Sequence, residues 1–261
     1  MRMCVSSNGR MIAIFDENMN LIVSTRDFQT QLSNFKVKAK KQPLSMKWCG
    51  SDAVVLLFNN DQIIVASNNE FIPYPYTSIN SSSKDRARII LIHEIDSLRI
   101  LTNNTCETLS VVPYFTEDIF SYGSLAEAAL LYDSYEEFQN GDARADSNRR
   151  KIPDDRMEDA VMDCLRAAKH ELEILEYQVK LLKACKYGKL FIKDQEQFAC
   201  DEFVDACKFL RVLNNIRTSD IGMPLTYEQF EILTPEVVVQ RLIHRKKHLL
   251  GIYLYRYIYI A

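Results

Sequence analysis

His244 and His248 stand four residues apart, the step that sets two imidazoles on one helix face as a metal pair would use. Arg245, Lys246 and Lys247 lie between them. They raise the cost of a bound cation, and no H-E-x-x-H glutamate follows His244. The segment therefore reads as a basic helix end, which suits the negative pole of the helix dipole. Asp154, Asp155, Glu158 and Asp159 form an acidic cluster, but a helix N-terminus already accounts for it. Cys200 and Cys207 share a helix face at heptad spacing, where core packing is the plainer role; a reactive thiol needs a cationic neighbour. Tyr253, Tyr255, Tyr257 and Tyr259 alternate at period two. That suits an edge strand, an interfacial anchor, or a terminus read in a shifted frame. Trp48, the single tryptophan, reads as core rather than as a ligand-stacking ring. With only 7 Gly, neither G-x-G-x-x-G nor the P-loop occurs, and no G-x-S-x-G elbow is present. No catalytic, cofactor-binding or metal-ligating residue stands out, and the expectation is of a protein without catalysis, metal or cofactor.

Bulk properties agree with a binding or scaffolding role. The chain has 261 residues with 32 Lys+Arg against 35 Asp+Glu, a formal charge of -3. A near balance of this kind argues against a nucleic-acid binder and against a broad polybasic surface for anionic lipid. The seven cysteines are widely spaced and hold no C-x-x-C pair, so buried thiols in a reducing compartment are expected rather than disulfides or zinc. Ser6, Ser7, Asn8 and Arg10 interrupt any leader-like apolar stretch, and no run is long enough to span a bilayer. The expected location is cytoplasmic.

The elements fall into two halves with different periods. Short apolar runs at Met11 to Phe15, Leu21 to Thr25, Met46 to Trp48, Ala53 to Phe58, Ile63 to Ala66, Ile89 to Ile92, Leu98 to Leu101 and Leu109 to Val112 alternate with turn formers. DENMN suits one turn; Asn59 to Asp61, Ser67 to Asn69 and Asn103 to Thr105 suit others. The spacing fits a propeller or a sandwich, and period alone does not choose. From Met157, the positions Val161, Cys164, Leu165, Ala168, Leu172, Leu175, Val179 and Leu182 trace one face of a single long helix. Asp154 or Asp155 is its expected cap and Gly188 its stop. A second helix is expected over Cys200 to Asn214 with Phe203, Ala206, Cys207 and Leu210 inward. A third is expected from Thr226, capped with Gln229, and a fourth from Thr234-Pro235 through Leu242. Between the halves, SLAEAALLYDSYEEF reads as a connecting helix and QNGDARADSNRRKIP as a mobile linker.

The stretch RVLNNIRTSDIGMPLTYEQFEILTPEVVVQRLIHRK, 211–246, closely resembles the propeller-to-solenoid region of the vacuolar protein sorting-associated protein 16 family. The matching residues are Arg211, Val212, Leu213, Asn214, Arg217, Ile221, Gly222, Pro224, Leu225, Thr226, Tyr227, Leu233, Thr234, Arg241 and Leu242. Weaker similarity runs back through Leu181 to Ile192, Gly123 to Phe138, the hairpin at Asp52 to Ala66 and Met46 to Cys49, to about Gln42. The resemblance implies a fold of β then α: a partial β-propeller over 1–122, a connecting helix and linker over 123–152, and the start of an α-solenoid over 153–261. Family members are several times longer, so only the last blades and first solenoid helices are implied. After about Lys247 the sequence departs from the family pattern. The resemblance further implies a non-enzymatic scaffold subunit of the HOPS and CORVET tethering complexes, acting in vesicle-mediated protein transport and membrane fusion. It would be peripheral on late endosome, lysosome or vacuole membranes. Its partners would be other core subunits, including a Sec1/Munc18-type protein bound through the later solenoid, and SNAREs indirectly. A coat-like scaffold of another trafficking complex is the alternative on the same architectural plan. For the corner at Gly222 to Thr226, the expectation is a packing turn first and a partner-facing loop second.

Overall fold

The computed structural model describes residues 1–39, 41–59, 62–67, 70–75, 89–103, 105–192 and 200–259. The chain divides into two compact units, Met1–Val111 and Val112–Ala261.

The first unit holds eleven strands: β1 (Arg2–Val5), β2 (Met11–Phe15), β3 (Asn20–Thr25), β4 (Gln31–Lys36), β5 (Ser45–Cys49), β6 (Ala53–Leu57), β7 (Gln62–Ser67), β8 (Glu70–Pro75), β9 (Ile90–His93), β10 (Ser97–Leu101) and β11 (Cys106–Ser110). They form three separate antiparallel meanders, β1-β2-β3-β4, β5-β6-β7-β8 and β9-β10-β11, without crossovers. The apolar runs read from sequence are strands, with Leu109 to Val112 shifted back to Cys106–Ser110. β1, β4 and β8 escape that reading. QLSNFK carries little apolar signal, and EFIPYP contains prolines that belong on an edge strand. Within DENMN, Asp16 accepts bonds from the Asn20 amide at 2.7 Å and its side-chain nitrogen at 2.9 Å. The turn formers at 60–61, 68–69 and 104 lie outside the described residues.

Alternation explains how the sheets stack. Every residue of β6 is buried. Val54 and Leu56 join Ala13, Phe15 and Leu21 of the first sheet, while Ala53, Val55 and Leu57 join Leu91, Leu98 and Ile100 of the third. A strand that is apolar on both faces needs cover on both sides. Trp48 is buried in the first of these cores, and its indole N–H donates to the Cys4 carbonyl at 3.1 Å.

The second unit is helical: α1 (Tyr114–Phe120), α2 (Glu127–Gln139), α3 (Arg144–Lys151), α4 (Met157–His170), α5 (Leu175–Lys189), α6 (Cys200–Arg217), α7 (Tyr227–His244) and α8 (His248–Tyr259). A 3-10 turn over Asp154–Arg156 precedes α4. Several expectations are corrected here. The single long helix from Met157 is two, folded against each other as α4 and α5. The Glu171 carboxylate accepts from the Glu173 and Ile174 amides at 2.9 and 3.0 Å, and this turns the chain. After the turn the buried set is Gln178, Leu181, Ala184, Cys185 and Gly188, not Leu175 and Val179, which are exposed. Neither Asp154 nor Asp155 caps α4. Gly188 does not stop α5; it sits inside the helix, where an added Cβ would lie 2.6 Å from Val161 Cγ2 and 2.8 Å from Leu131 Cδ2. The polar linker contains α3, anchored by Ala145 and followed by buried Ile152. The terminal tyrosine run is helix α8, not a strand.

Candidate interaction surface

Among the described residues no group of three or more His, Cys, Asp or Glu side chains could hold a metal, and no helix is long and apolar enough to cross a membrane. His244 ends α7 and His248 begins α8, with Lys246 at φ 60 between them, so the two do not share a helix face. Asp154, Asp155, Glu158 and Asp159 are exposed, and Asp159 pairs with Arg156 at 3.0 Å. The thiols are held protonated. Burial pushes Cys49 up to about 11 and Cys4 up to about 12. Burial also raises Cys185, packed near Cys164, and Cys207, despite the neighbouring Arg211. A thiol kept neutral is a poor nucleophile and a poor metal ligand. The side chain of Cys200 lies outside the described residues.

What the helical unit does build is a braced corner between α6 and α7. Gly222 adopts φ 63, a left-handed conformation that glycine reaches without a Cβ penalty. Its amide donates to the Thr218 carbonyl at 2.8 Å, and the Met223 amide reaches back to Ile216 at 3.0 Å. Pro224 follows, and Thr226 caps α7: its hydroxyl accepts from the Gln229 amide at 3.1 Å while Gln229 Oε1 accepts from the Thr226 amide at 3.4 Å. This is the capping box anticipated from the sequence. Thr234 leaves helical geometry at φ 64, ψ 152, so the start expected at Thr234-Pro235 is a break inside α7.

The corner is tied in from both sides. Arg217 Nε donates to the Leu225 carbonyl at 2.8 Å, and Arg217 Nη1 to Asn214 Oδ1 at 3.3 Å. Desolvation lowers the Arg217 pKa to about 10, with Glu171 opposing the drop. Asn214 Nδ2 donates to buried Gln178 Oε1 at 2.7 Å, and Gln178 Nε2 donates to the Ala168 and Glu171 carbonyls at 3.3 and 3.1 Å. Arg245 Nη1 donates to the Gly222 and Ile221 carbonyls, the former at 3.0 Å. A shallow cavity of about 230 Å³ opens beside this network between Glu171, Ile174, Leu175, Gln178, Asn214 and Arg217. Arg217 was among the sequence matches, but its bracing role was not. Gln178 and Arg245 were missed: one is a polar residue inside an apolar stripe, the other looks like part of a solvated basic cluster. The arrangement can fix helix angles and present Ile174, Leu175 and Tyr177 at the surface; it holds no nucleophile beside a base.

The comparisons with known proteins now have a fold to attach to. The family described as "Vps16, N-terminal region" matches residues 1–205. The chain is 35% identical over 257 residues to Protein VACUOLELESS1 of Arabidopsis thaliana, covering 98% of this chain and 28% of that protein. It is 37% identical over 254 residues to the vacuolar protein sorting-associated protein 16 homolog of Dictyostelium discoideum, covering 96% and 29%. With vacuolar protein sorting-associated protein 16 of Saccharomyces cerevisiae the identity is 28% over 244 residues, covering 93% and 28%. The similarity thus begins well before Gln42, where the sequence reading placed its start, and the chain spans 28% or 29% of the length of these relatives. Over that span, from the first meander through the helical corner, the chain belongs to the vacuolar protein sorting-associated protein 16 family.

Proposed function

We propose that this chain is a non-enzymatic scaffold subunit of the endolysosomal and vacuolar tethering complexes HOPS and CORVET, serving vesicle-mediated protein transport and membrane fusion. In this reading the three meanders are the last blades of a β-propeller and the helices are the connecting helix and first turns of an α-solenoid. The observation that carries it is the family match running through consecutive four-stranded meanders into antiparallel helix pairs. Antiparallel helix pairs that each cover their neighbour form an extended surface without a catalytic cleft. Its work is geometric: it holds a Sec1/Munc18-type fusion regulator and the other core subunits near two membranes, reaches SNAREs through them, and sits on the membrane peripherally. No nucleic acid enters this role. Affinity capture of the tagged 261-residue chain from cells, read by mass spectrometry, is expected to recover other core tether subunits. Recovery of coat or nuclear-pore components in their place would overturn it.

A further inference from the structure

Within the β unit the middle sheet is covered on both faces, but the outer sheets are covered on one. Cross-strand partners share a face. In the first sheet Cys4, Ala13, Phe15 and Val23 point to the middle sheet. The opposite face carries the paired Met3, Ile14 and Ile22, with Val5 beside Ile12; Met3 is 59% and Val5 48% exposed. In the third sheet Leu91, Leu98 and Ile100 point to the middle sheet. Its opposite face carries Ile90 paired with Leu101 and Ile92 with Arg99; Ile90 is 47% and Ile92 41% exposed. These open faces are apolar on strands whose other side is core, so each needs a further sheet against it.

The occupant follows from the internal repeat. The first sheet offers one side to the middle sheet, and the middle sheet offers the corresponding side to the third. The open side of the third sheet is therefore the next in that series, and the open side of the first sheet is the kind of surface that receives it. The first strands run in series, β5 lying against both β1 and β9, as the inner strands of a fan do. Three sheets make part of such a fan, and two sets of three make six, inside the range of about 4–8 blades at which propellers close. We propose that a second copy of this chain closes the β unit into a six-sheet ring, the open face of each copy's third sheet seated on the open face of the other copy's first sheet. This rests on the partial-propeller reading above. A monomer sinks the pairing alone, whereas failure to capture tether subunits leaves the pairing untouched.

Light scattering after gel filtration of the full chain is expected to give twice 30.3 kDa. The pairs Ile90→Asp/Ile92→Asp and Met3→Lys/Val5→Lys are each expected to halve that mass, because each spoils both contacts of the ring. Mixing the two variants is expected to restore the paired mass, since one contact then keeps both native faces. Circular dichroism and Trp48 emission report whether each variant folds, and Ile92→Ser replaces a double variant that does not. A monomeric parent chain overturns the proposal. So does a pair that survives Met3→Lys/Val5→Lys, which would mean like faces meet, or an open-ended polymer.

Discussion

The β unit buries its apolar residues in two slabs, one on each side of β5–β8, while the helical unit gathers Leu131, Val161, Leu181, Leu213 and Phe230 into one continuous core. The slabs depend on strands with two apolar faces, and each slab ends at a sheet with one side open. The helical core depends on close approach: Ala160, Ala167, Ala168, Ala184 and Gly188 let α2, α4 and α5 touch at backbone distance. Stacked sheets demand more of their own kind, whereas a hairpin of helices closes much of its core with its own partner. The two units should therefore respond separately to damage, and Trp48 reports on the β unit alone because it is the single tryptophan.

The strongest way to break that comparison is Phe230→Ala. Phe230 is fully buried, so truncation is expected to cost about 3–5 kcal/mol. The helical transition in far-UV circular dichroism should fall while the Trp48 emission transition stays in place; a joint shift would merge the units into one. Gly188→Val should cost about 3 kcal/mol in the same unit, because the new side chain meets Val161 and Leu131, both buried. Urea unfolding followed by circular dichroism measures it, and an unchanged midpoint would deny that close approach governs this core. Thr226→Ala removes the capping box and is expected to cost about 1–2 kcal/mol, with faster amide exchange confined to the start of α7. The smallest effect is on pH response. In the folded β unit Cys49 is held up to about 11, while an unfolded thiol ionises above about 8.5. Its contribution is full below that pH and is lost as pH rises through about 11, so the Trp48 transition should weaken over this window. Cys49→Ala should flatten the slope.

Much of the β unit was legible because a strand apolar on both faces, such as AVVLL, leaves a dense signal in few residues. The polar strand QLSNFK leaves none and is placed only by its neighbour β3. In the helical unit the periodicity from Val161 to Leu182 misled, because the turn at Glu171 preserves the spacing of three and four while reversing the chain. The same holds at the end, where alternating tyrosines mimic a strand yet Leu254 is buried in the helical core. At the corner, Gly222, Pro224 and Thr226 each announce their role through backbone chemistry and were read correctly. Arg217 and Gln178 act through partners distant in sequence, and no local pattern reveals such pairing.

The break in α7 has a mechanical consequence. Thr234 sits at φ 64, ψ 152, a region that suits glycine alone, and Pro235 brings no amide to bridge it. α7 is thus two short rods sharing a joint, and tension along its axis separates them there before it opens the capped end at Thr226. Under load between two membranes, this joint would yield first and spare the corner.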